Sequence, residues 1–555
     1  MDQRTILAIS LSFILLVSYQ YLMDTYYPPV PMEQQMELPL EDAGSKQADT
    51  GPLPSNVDGV RVGKGPNGPV AQEAAPAVST AVIKAGLGKR FKFEDGVVRG
   101  EIAQAGGRIA NLSFLKHLDA LPPEGQPINY LDQDAREFFF AESGFLGSAG
   151  FVAPTRDTMW KLEGNDRIVD GGDLRLSWNN GQGVSFEKIY SFTKDSYLFT
   201  VTDRIKNTSQ KAFEFYHYAQ FVRVEPSNKE GEQALAIADF EGPMGFLNDT
   251  RVQHEYDELK EMDQRQKAVS GWVGISDKFF LAALIPPTST NNKNFYFDYD
   301  VPAHRAGTVS NKEVLGAGSE VAVSTRMYIG PKEVKTLESH NLNLHRAIDY
   351  GWFHFLAEPI VQVLLFLNRF FHNFGVAIIL LTIGIKILLF PLANKSYVSM
   401  NAMKKLQPKI EELKVKHGDN KKALNEDMMK LYQTNKVNPL GGCLPMIVQI
   451  PVFFALYKVL FLSVEMRHAP FMLWINDLSA MDPYYVLPIL MGASMFLQSK
   501  LNPTPADPIQ AKIMMFLPLI FTFMFMTFPA GLVLYWLLNN VLSIAQQYYI
   551  LKKYD

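Results

Sequence analysis

Hydrophobic and polar positions follow three different patterns along the 555-residue chain. The first is an uncharged apolar run from Thr5 to Met23, preceded by Arg4 and long enough to enter a bilayer. Because no small-residue cleavage site follows this run, we interpret residues 1–27 as an uncleaved anchor with a cytoplasmic N-terminus. Residues 28–85 are rich in proline, glycine and alanine with almost no apolar periodicity, which predicts a flexible linker.

The second pattern, over residues 86–345, alternates apolar and polar positions with a period of two. Runs at 184–190, 197–203 and 321–328 combine β-branched and aromatic residues and are separated by turn-forming residues. This alternation predicts strands, and no helical pattern is interleaved with them. We therefore predict one antiparallel all-β sandwich of ~250 residues.

From residue 346 onward the chain is helical and apolar. Within residues 346–373 the polar residues Glu358, Gln362, Arg369 and Asn373 are spaced four, seven and four apart, on one face of a helix. This predicts an amphipathic helix lying in the membrane interface. Five apolar spans are predicted to follow, two of them short enough to thin the bilayer, at about 374–391, 443–462, 484–499, 512–528 and 530–549.

Lysine and arginine counts orient these spans. The segment 392–440 contains ten lysines and is assigned to the cytoplasm, whereas 463–483 carries only Arg467 and is assigned to the outside. Both termini then lie in the cytoplasm and the β domain lies outside. The predicted fold class is a multidomain membrane protein, with six α-helical spans of which five form a core over 374–555, and an external all-β domain.

The lysine-rich segment 392–440 predicts a cytoplasmic helical hairpin that turns at Gly418-Asp-Asn420. Its lysines either form a solvated face that sets the topology or form a docking surface for a ribosome or nascent chain, and both interpretations can hold together. The candidate docking residues are Lys404, Lys405, Lys409, Lys421 and Lys422.

Polar residues recur inside the apolar spans, and Lys386 is the only charged residue between Phe374 and Pro391. A lysine there either snorkels to the interface along its stem or faces water or a partner. No Asp or Glu lies in the five later spans to pair with it, which favours a wet cavity. Ser494 and Gln498 are interpreted as polar contacts between helices. Two groups of these polar residues have helical spacing: Thr382 and Lys386 are four apart, and Tyr535, Asn539, Ser543 and Gln546 follow at four, four and three. Together with Gln449 of another span, they are the candidate lining residues of the cavity.

Composition narrows the function classes. A net charge of -4 without basic–aromatic patterning gives no reason to expect nucleic-acid recognition. The single cysteine, Cys443, excludes an intrachain disulfide. The sequence has no nucleotide-binding loop, dinucleotide fingerprint or Cys/His metal spacing, so we expect no catalytic residue, cofactor or metal, and no enzyme.

Short motifs rich in proline, glycine and aromatic residues punctuate the apolar third: Pro391-Leu-Ala-Asn-Lys395, Leu406-Gln-Pro-Lys-Ile410, Asn438-Pro-Leu-Gly-Gly-Cys443-Leu-Pro445, Gln449-Ile-Pro451, Asp482-Pro-Tyr-Tyr485, Leu487-Pro-Ile-Leu-Met-Gly492 and Phe528-Pro-Ala-Gly-Leu-Val-Leu-Tyr535. In this order the motifs resemble the YidC-type membrane protein insertases of Gram-negative bacteria, which have a large periplasmic domain. The resemblance implies a hydrophilic groove open to the cytoplasm and to lipid, whose basic residue matches Lys386 and whose aromatic pair matches Tyr535 and Trp536.

The resemblance also implies a periplasmic super-sandwich similar to sugar-mutarotase folds, and a location in the bacterial inner membrane. The expected function is insertion and folding of nascent membrane proteins, alone or with the Sec translocon, with the ribosome and the lipid bilayer as further partners. Two alternatives stay open. One is a secondary transporter or channel, although no internal repeat is found. The other is a periplasmic carbohydrate enzyme on a membrane anchor, although a shared fold does not carry the activity.

Overall fold

The computed structural model describes residues 88–147, 151–226, 240–287, 293–418, 420–435, 437, 444–502 and 508–554. The predicted anchor over 1–27 and the predicted linker over 28–85 lie outside the described residues, as does Cys443.

Strands β1 to β20 occupy the described residues between 90 and 331. In chain order they are Arg90–Glu94, Val98–Ala103, Ile109–Leu118, Pro127–Asp132, Phe139–Gly147, Lys161–Glu163, Arg167–Val169, Gly172–Asn179, Val184–Phe192, Leu198–Asn207, Phe213–Arg223, Gly242–Leu247, Thr250–Gln253, Gln264–Ala268, Gly271–Ser276, Phe280–Ile285, Lys293–Asp300, Ala303–Val309, Glu313–Leu315 and Glu320–Pro331.

These strands form two sheets that enclose an aromatic core, so the predicted all-β domain is confirmed. One sheet has the order β14-β17-β18-β11-β5-β4-β3-β2-β1-β7, with β19 paired to β11, and the other has the order β13-β12-β15-β16-β20-β10-β9-β8-β6. The predicted antiparallel pairing has one exception at a sheet edge, where β1 and β7 pair in parallel and Lys92 lies opposite Arg167. The remaining named pairings between described strands are antiparallel.

Nine α-helices, α1 to α9, lie in the described residues. They are Tyr256–Glu261, Val334–Ser339, His354–Phe371, Phe374–His417, Lys421–Thr434, Leu444–Leu462, Val486–Leu501, Pro508–Phe525 and Ala530–Tyr554. The predicted span over 374–391 and the first arm of the predicted hairpin are one continuous helix, the 44-residue α4. This helix starts where the Asn373 side chain accepts a hydrogen bond from the Val376 amide at 3.1 Å, and it ends at Gly418, whose φ is 51°.

Two helical segments in the described residues are long and apolar enough to cross a membrane, Gly351–Phe371 and Phe374–His417. Three shorter apolar helical segments are Val448–Leu462, Val486–Leu501 and Lys512–Phe525. The count of six spans therefore stays a prediction, and its first span falls on residues outside the described part of the chain.

The β domain contacts the helical region through the loop between α6 and α7. In this loop Arg467 donates hydrogen bonds to the carbonyl oxygens of Leu118 and Asp119 at the end of β3, the second at 3.2 Å. A carboxylate oxygen of Glu465 accepts a hydrogen bond from the Val334 amide at 3.1 Å, at the first residue of α2. These contacts hold the loop against the β domain.

Candidate functional site

Lys386 is partly buried where α4 packs against α9. Its ammonium nitrogen lies 2.7 Å from the Ser543 hydroxyl oxygen, to which it donates a hydrogen bond. Ser543 in turn donates to the backbone carbonyl of Asn539 at 2.7 Å, and the Tyr397 phenol also hydrogen-bonds to Ser543. Within the described residues Lys386 forms no ion pair, so the cation has neutral partners.

Gln546 continues this contact one turn further along α9. Its amide nitrogen donates to the Asn394 side-chain oxygen at 2.9 Å and to the Phe390 carbonyl at 3.4 Å. The α4–α9 interface therefore carries two neighbouring sets of hydrogen-bonding groups. Together we call them the polar seam, which consists of Lys386, Asn394, Tyr397, Ser543 and Gln546.

Asn394 and Tyr397 were not among the predicted residues, although the spacing of polar residues in the sequence indicates them. On α9 the predicted residues Tyr535, Asn539, Ser543 and Gln546 are spaced four, four and three apart. Starting from Lys386, the same spacing on α4 passes through Phe390 and reaches Asn394 and Tyr397. The predicted span ends at Pro391 because proline is typical of a helix boundary, whereas α4 continues through it.

The other predicted lining residues do not all join the seam. Gln449 on α6 donates a hydrogen bond to the Tyr535 hydroxyl, and Tyr535 is almost fully buried. Thr382 donates to the Ile378 carbonyl of its own helix at 2.6 Å. Asn539 takes part through its backbone carbonyl.

Trp536 packs in an aromatic cluster, whereas its neighbour Tyr535 forms a hydrogen bond. Its ring centroid is 4.7 Å from that of Phe453, at an interplanar angle of 90°, and 5.2 Å from that of Phe525. Rings in such an edge-on arrangement attract each other beyond their burial of apolar area. The aromatic pair implied by the family resemblance therefore divides into one hydrogen-bonded residue and one packing residue.

A second polar contact lies between α9 and α7. The Asn540 amide donates to the Ser494 hydroxyl at 3.1 Å, and the Gln547 amide donates to the Asn502 side-chain oxygen at 3.2 Å. This contact fits the interpretation of Ser494 as a hydrogen-bonding residue between helices. Its partner, Asn540, was not among the predicted residues.

The predicted docking lysines lie on the hairpin formed by α4 and α5. Lys404, Lys405 and Lys409 lie on α4, and the side chains of all three are exposed. The side chains of Lys421 and Lys422, at the start of α5, lie outside what the structure describes. The two arms are joined by a hydrogen bond of 2.9 Å between His417 and Asp427.

The β domain contains a buried ion pair of a different kind. Lys188 on β9 and Asp203 on β10 are direct cross-strand partners, are 1% and 2% exposed, and contact each other through ammonium and carboxylate. His217 on β11 lies 2.9 Å from the other oxygen of Asp203. Burial alone raises the pKa of Asp203, but Lys188 and His217 outweigh it and hold that pKa below its ordinary value.

The cavity next to this ion pair is too small for a sugar. It is lined by residues that include Glu142, Arg156, Trp160 and Asp203, and its volume is about 10 Å³. Such a volume admits about one water molecule. The cluster gives no support to the alternative of a carbohydrate enzyme.

Comparison with known proteins agrees with this architecture. The family described as 60Kd inner membrane protein matches residues 366–555, and the YidC periplasmic domain family matches residues 90–363. The membrane protein insertase YidC of Magnetococcus marinus is 54% identical over 565 residues, covering 100% of this chain and 99% of the relative.

The insertase YidC of Methylobacillus flagellatus is 40% identical, covering 86% of this chain and 88% of the relative. A crystal structure of an active YidC insertase with its first transmembrane domain resolved is 18% identical, covers 83% of this chain and 93% of that chain, and has a TM-score of 0.37. Because a relative that is 54% identical extends over the full length, the chain belongs to the YidC family of membrane protein insertases.

Proposed function

We propose that this protein inserts nascent membrane proteins into the bacterial inner membrane, and that the polar seam receives the hydrophilic flank of the segment being inserted. Lys386 attracts acidic residues of that flank, while the amides and hydroxyls of the seam offer hydrogen bonds in place of water. A polar group that entered dry hydrocarbon without such partners would cost several kcal/mol.

The observation that carries this proposal is the neutral partner of Lys386. A buried cation is normally neutralised by a carboxylate or kept in contact with water. Lys386 instead donates to Ser543 at 2.7 Å, and no described acidic group pairs with it. Its charge is therefore available to a carboxylate that arrives from outside the protein, with which it would form a stronger, charge-assisted hydrogen bond.

The proposed topology has six spans, with both termini in the cytoplasm, the β domain over 86–345 in the periplasm and the amphipathic segment 346–373 along the outer leaflet. Two contacts support it. The Asn373 side chain, at the start of α4, donates to the Phe471 carbonyl at 2.8 Å, in the loop between α6 and α7. Arg467 of the same loop donates to backbone carbonyls at the end of β3 in the β domain. The start of α4, this loop and the β domain therefore share one side of the membrane.

The length of α4 supports the assignment of the hairpin to the cytoplasm. Its 44 residues extend about 66 Å, roughly twice the ~30 Å hydrocarbon core. A helix that starts at the outer surface therefore leaves the membrane well before His417 and carries the lysine-bearing hairpin into the cytoplasm. We propose that the hairpin meets the ribosome, the nascent chain and the Sec translocon there.

Release into lipid completes the proposed cycle. Helix α7 has 16 residues, about 24 Å, which is shorter than the hydrocarbon core and favours local thinning of the bilayer. The thinner slab shortens the path of the polar flank. The apolar segment then partitions into lipid beside the five-helix core over 374–555.

The proposal is tested by insertion assays on Lys386→Met and Lys386→Arg, using one substrate with an acidic flank and one with a neutral flank. We expect Lys386→Met to reduce insertion of the acidic substrate roughly tenfold, since hydrogen bonds to charged groups contribute about 1.5–3 kcal/mol. Lys386→Arg keeps the charge and should insert both substrates. Lys500→Met, at an exposed lysine of α7, is the matched control. Equal insertion of the acidic substrate by Lys386→Met and wild type would contradict the role of the charge.

A further inference from the structure

A cleft of about 570 Å³ lies where the β domain meets the first turns of α3. One wall is formed by α2 and the segment 344–351, and the other by the residues of α3 between His354 and Gln362. We call it the junction cleft. It is far from the polar seam in sequence and shares no residue with it.

The cleft wall is held in place by Arg251, on β13. The guanidinium of Arg251 lies 2.6 Å from an Asp349 carboxylate oxygen and donates to the carbonyls of Arg346 and Ile348 at 2.9 and 3.1 Å. These contacts pair the charge of Arg251 and give its N–H groups hydrogen-bond acceptors. They also fix the backbone from which the Arg346 side chain extends.

The position of the cleft relative to the helical region indicates its depth in the membrane. The Phe353 ring stacks on Phe454 of α6 with a centroid distance of 6.1 Å, and the Lys458 side chain lies against Gly351. Lys458 is four residues, about 6 Å, before the outer end of α6 at Leu462. Next to it, Trp352 is 71% exposed. Exposed tryptophan and a lysine near a span end are typical of the head-group level.

The charges that line the cleft have both signs, and two are uncompensated. Within the described residues, the exposed side chains of Arg346 and Glu358 form no ion pair or side-chain hydrogen bond. Glu338 has a single long contact, 3.5 Å from the Gln362 amide. His345 lies among them: burial and then Arg346 lower its pKa, while Glu338 and Glu358 act in the opposite direction. The lowered pKa favours the neutral imidazole, which offers hydrogen-bonding groups without charge.

We propose that the junction cleft binds the head group of a phospholipid that carries both a phosphate and a primary ammonium, such as phosphoethanolamine. Arg346 takes the phosphate, and Glu338 and Glu358 accept hydrogen bonds from the ammonium. The carboxylates repel a purely anionic head group, and a choline head group has no N–H to donate to them. The inference rests on the proposed topology, which puts the cleft at the outer leaflet.

The test measures lipid binding to the purified full-length chain in detergent by native mass spectrometry. Short-chain phosphatidylethanolamine, phosphatidylcholine and phosphatidylglycerol are titrated separately, and free phosphoethanolamine is added as a competitor. We expect phosphatidylethanolamine to bind about fivefold or more tightly than the other two lipids, as charge-assisted hydrogen bonds give. Free phosphoethanolamine should compete weakly, because it lacks the acyl chains that place a lipid head group beside Trp352.

Two sets of variants test which residues bind the ammonium and which bind the phosphate. The double substitution Glu338→Gln and Glu358→Gln should abolish the preference for phosphatidylethanolamine over phosphatidylcholine. Arg346→Gln should weaken the binding of both lipids to the same extent. Glu124→Gln and Arg167→Gln, at exposed positions elsewhere on the β domain, are the matched controls. All of these substitutions are at exposed side chains, so folding is expected to be retained, and circular dichroism checks it.

Two results would overturn the inference. One is equal affinity of the wild-type chain for the three lipids, and the other is an ethanolamine preference that survives the double substitution. Failure here is distinguishable from failure of the proposed function, because Lys386→Met alters insertion of acidic substrates and leaves the lipid preference unchanged.

Discussion

Lys188 in the β domain and Lys386 in the helical region are both removed from bulk water, but they are neutralised differently. Lys188 is 1% exposed and has a carboxylate, Asp203, directly across the strand pair. Lys386 is partly buried, and its ammonium donates a hydrogen bond to the neutral hydroxyl of Ser543 and not to a carboxylate. The charge of Lys188 is thus paired within the protein, whereas the charge of Lys386, for which we propose a role in substrate binding, has only neutral partners among the described residues.

The largest expected effect is on the paired lysine. Lys188→Met leaves Asp203 buried without its counter-ion, which costs about 3–5 kcal/mol. Hydrogen exchange of the full-length chain should then show loss of protection in peptides that cover β9 and β10. Lys194→Met, at an exposed lysine just after the end of β9, is the control and should leave protection unchanged. Normal protection in Lys188→Met would mean that the ion pair contributes nothing to the β domain.

Giving Lys386 a counter-ion of its own should make it resemble Lys188. In Ser543→Asp the new carboxylate pairs with the ammonium, so insertion of acidic-flank substrates is expected to fall roughly tenfold, since the charge is no longer available. Ser543→Asn, which keeps a neutral hydrogen-bonding group, is the matched control. If Ser543→Asp inserted acidic substrates as well as Ser543→Asn does, availability of the charge would not be what matters.

The stabilisation that the buried ion pair gives to the β domain should depend on pH through its carboxylate, Asp203. The pKa of Asp203 is depressed in the folded state, so its stabilisation is present above its unfolded pKa of about 3.9 and is lost as the pH falls through the lower folded pKa. The unfolding temperature of wild type should therefore exceed that of Asp203→Asn at neutral pH, and the gap should narrow below about pH 4. Tryptophan fluorescence of the full-length chain at several pH values measures it. A gap that is constant with pH would argue against the depressed pKa.

The smallest effect is expected at the contact between α7 and α9. Asn540→Leu removes the hydrogen bond to Ser494, and polar contacts between membrane helices average about 0.6 kcal/mol. Insertion of acidic and neutral substrates should then change equally and by less than about threefold. A selective loss of acidic substrates would place Asn540 in the path of the flank.

Part of the difference between the two lysines can be read from the sequence. On β9 the alternation Val184, Phe186, Lys188, Tyr190 puts a lysine on the apolar face, and Asp203 holds the equivalent position on β10. Opposite charges on the inward faces of consecutive strands are typical of a buried pair, yet neither residue was predicted. Their meeting depends on the strand register, which a two-residue period does not determine.

In the helical region the sequence was sufficient to predict the polar residues of one helix, but not their partners on the other. The period of α9 is sufficient to select Ser543 and Gln546 from the sequence alone, because apolar spans make polar residues conspicuous. The partners on α4 beyond Pro391 were missed because local propensity treats proline as a break, and packing of a long helix overrides it. The separate packing of Trp536 likewise follows from tertiary contacts with α6 and α8.

The most direct test of the central claim asks what touches the seam, with and without the charge of Lys386. A photo-crosslinking residue is introduced at Asn394, within the seam, or at Leu388, which is 78% exposed on α4, and each variant is presented with a stalled nascent chain that has an acidic flank. We predict a strong adduct from position 394, a weak one from 388, and loss of the 394 adduct in the Lys386→Met background. Equal adducts from both positions, or an adduct from 394 that does not depend on Lys386, would contradict a charge-guided seam.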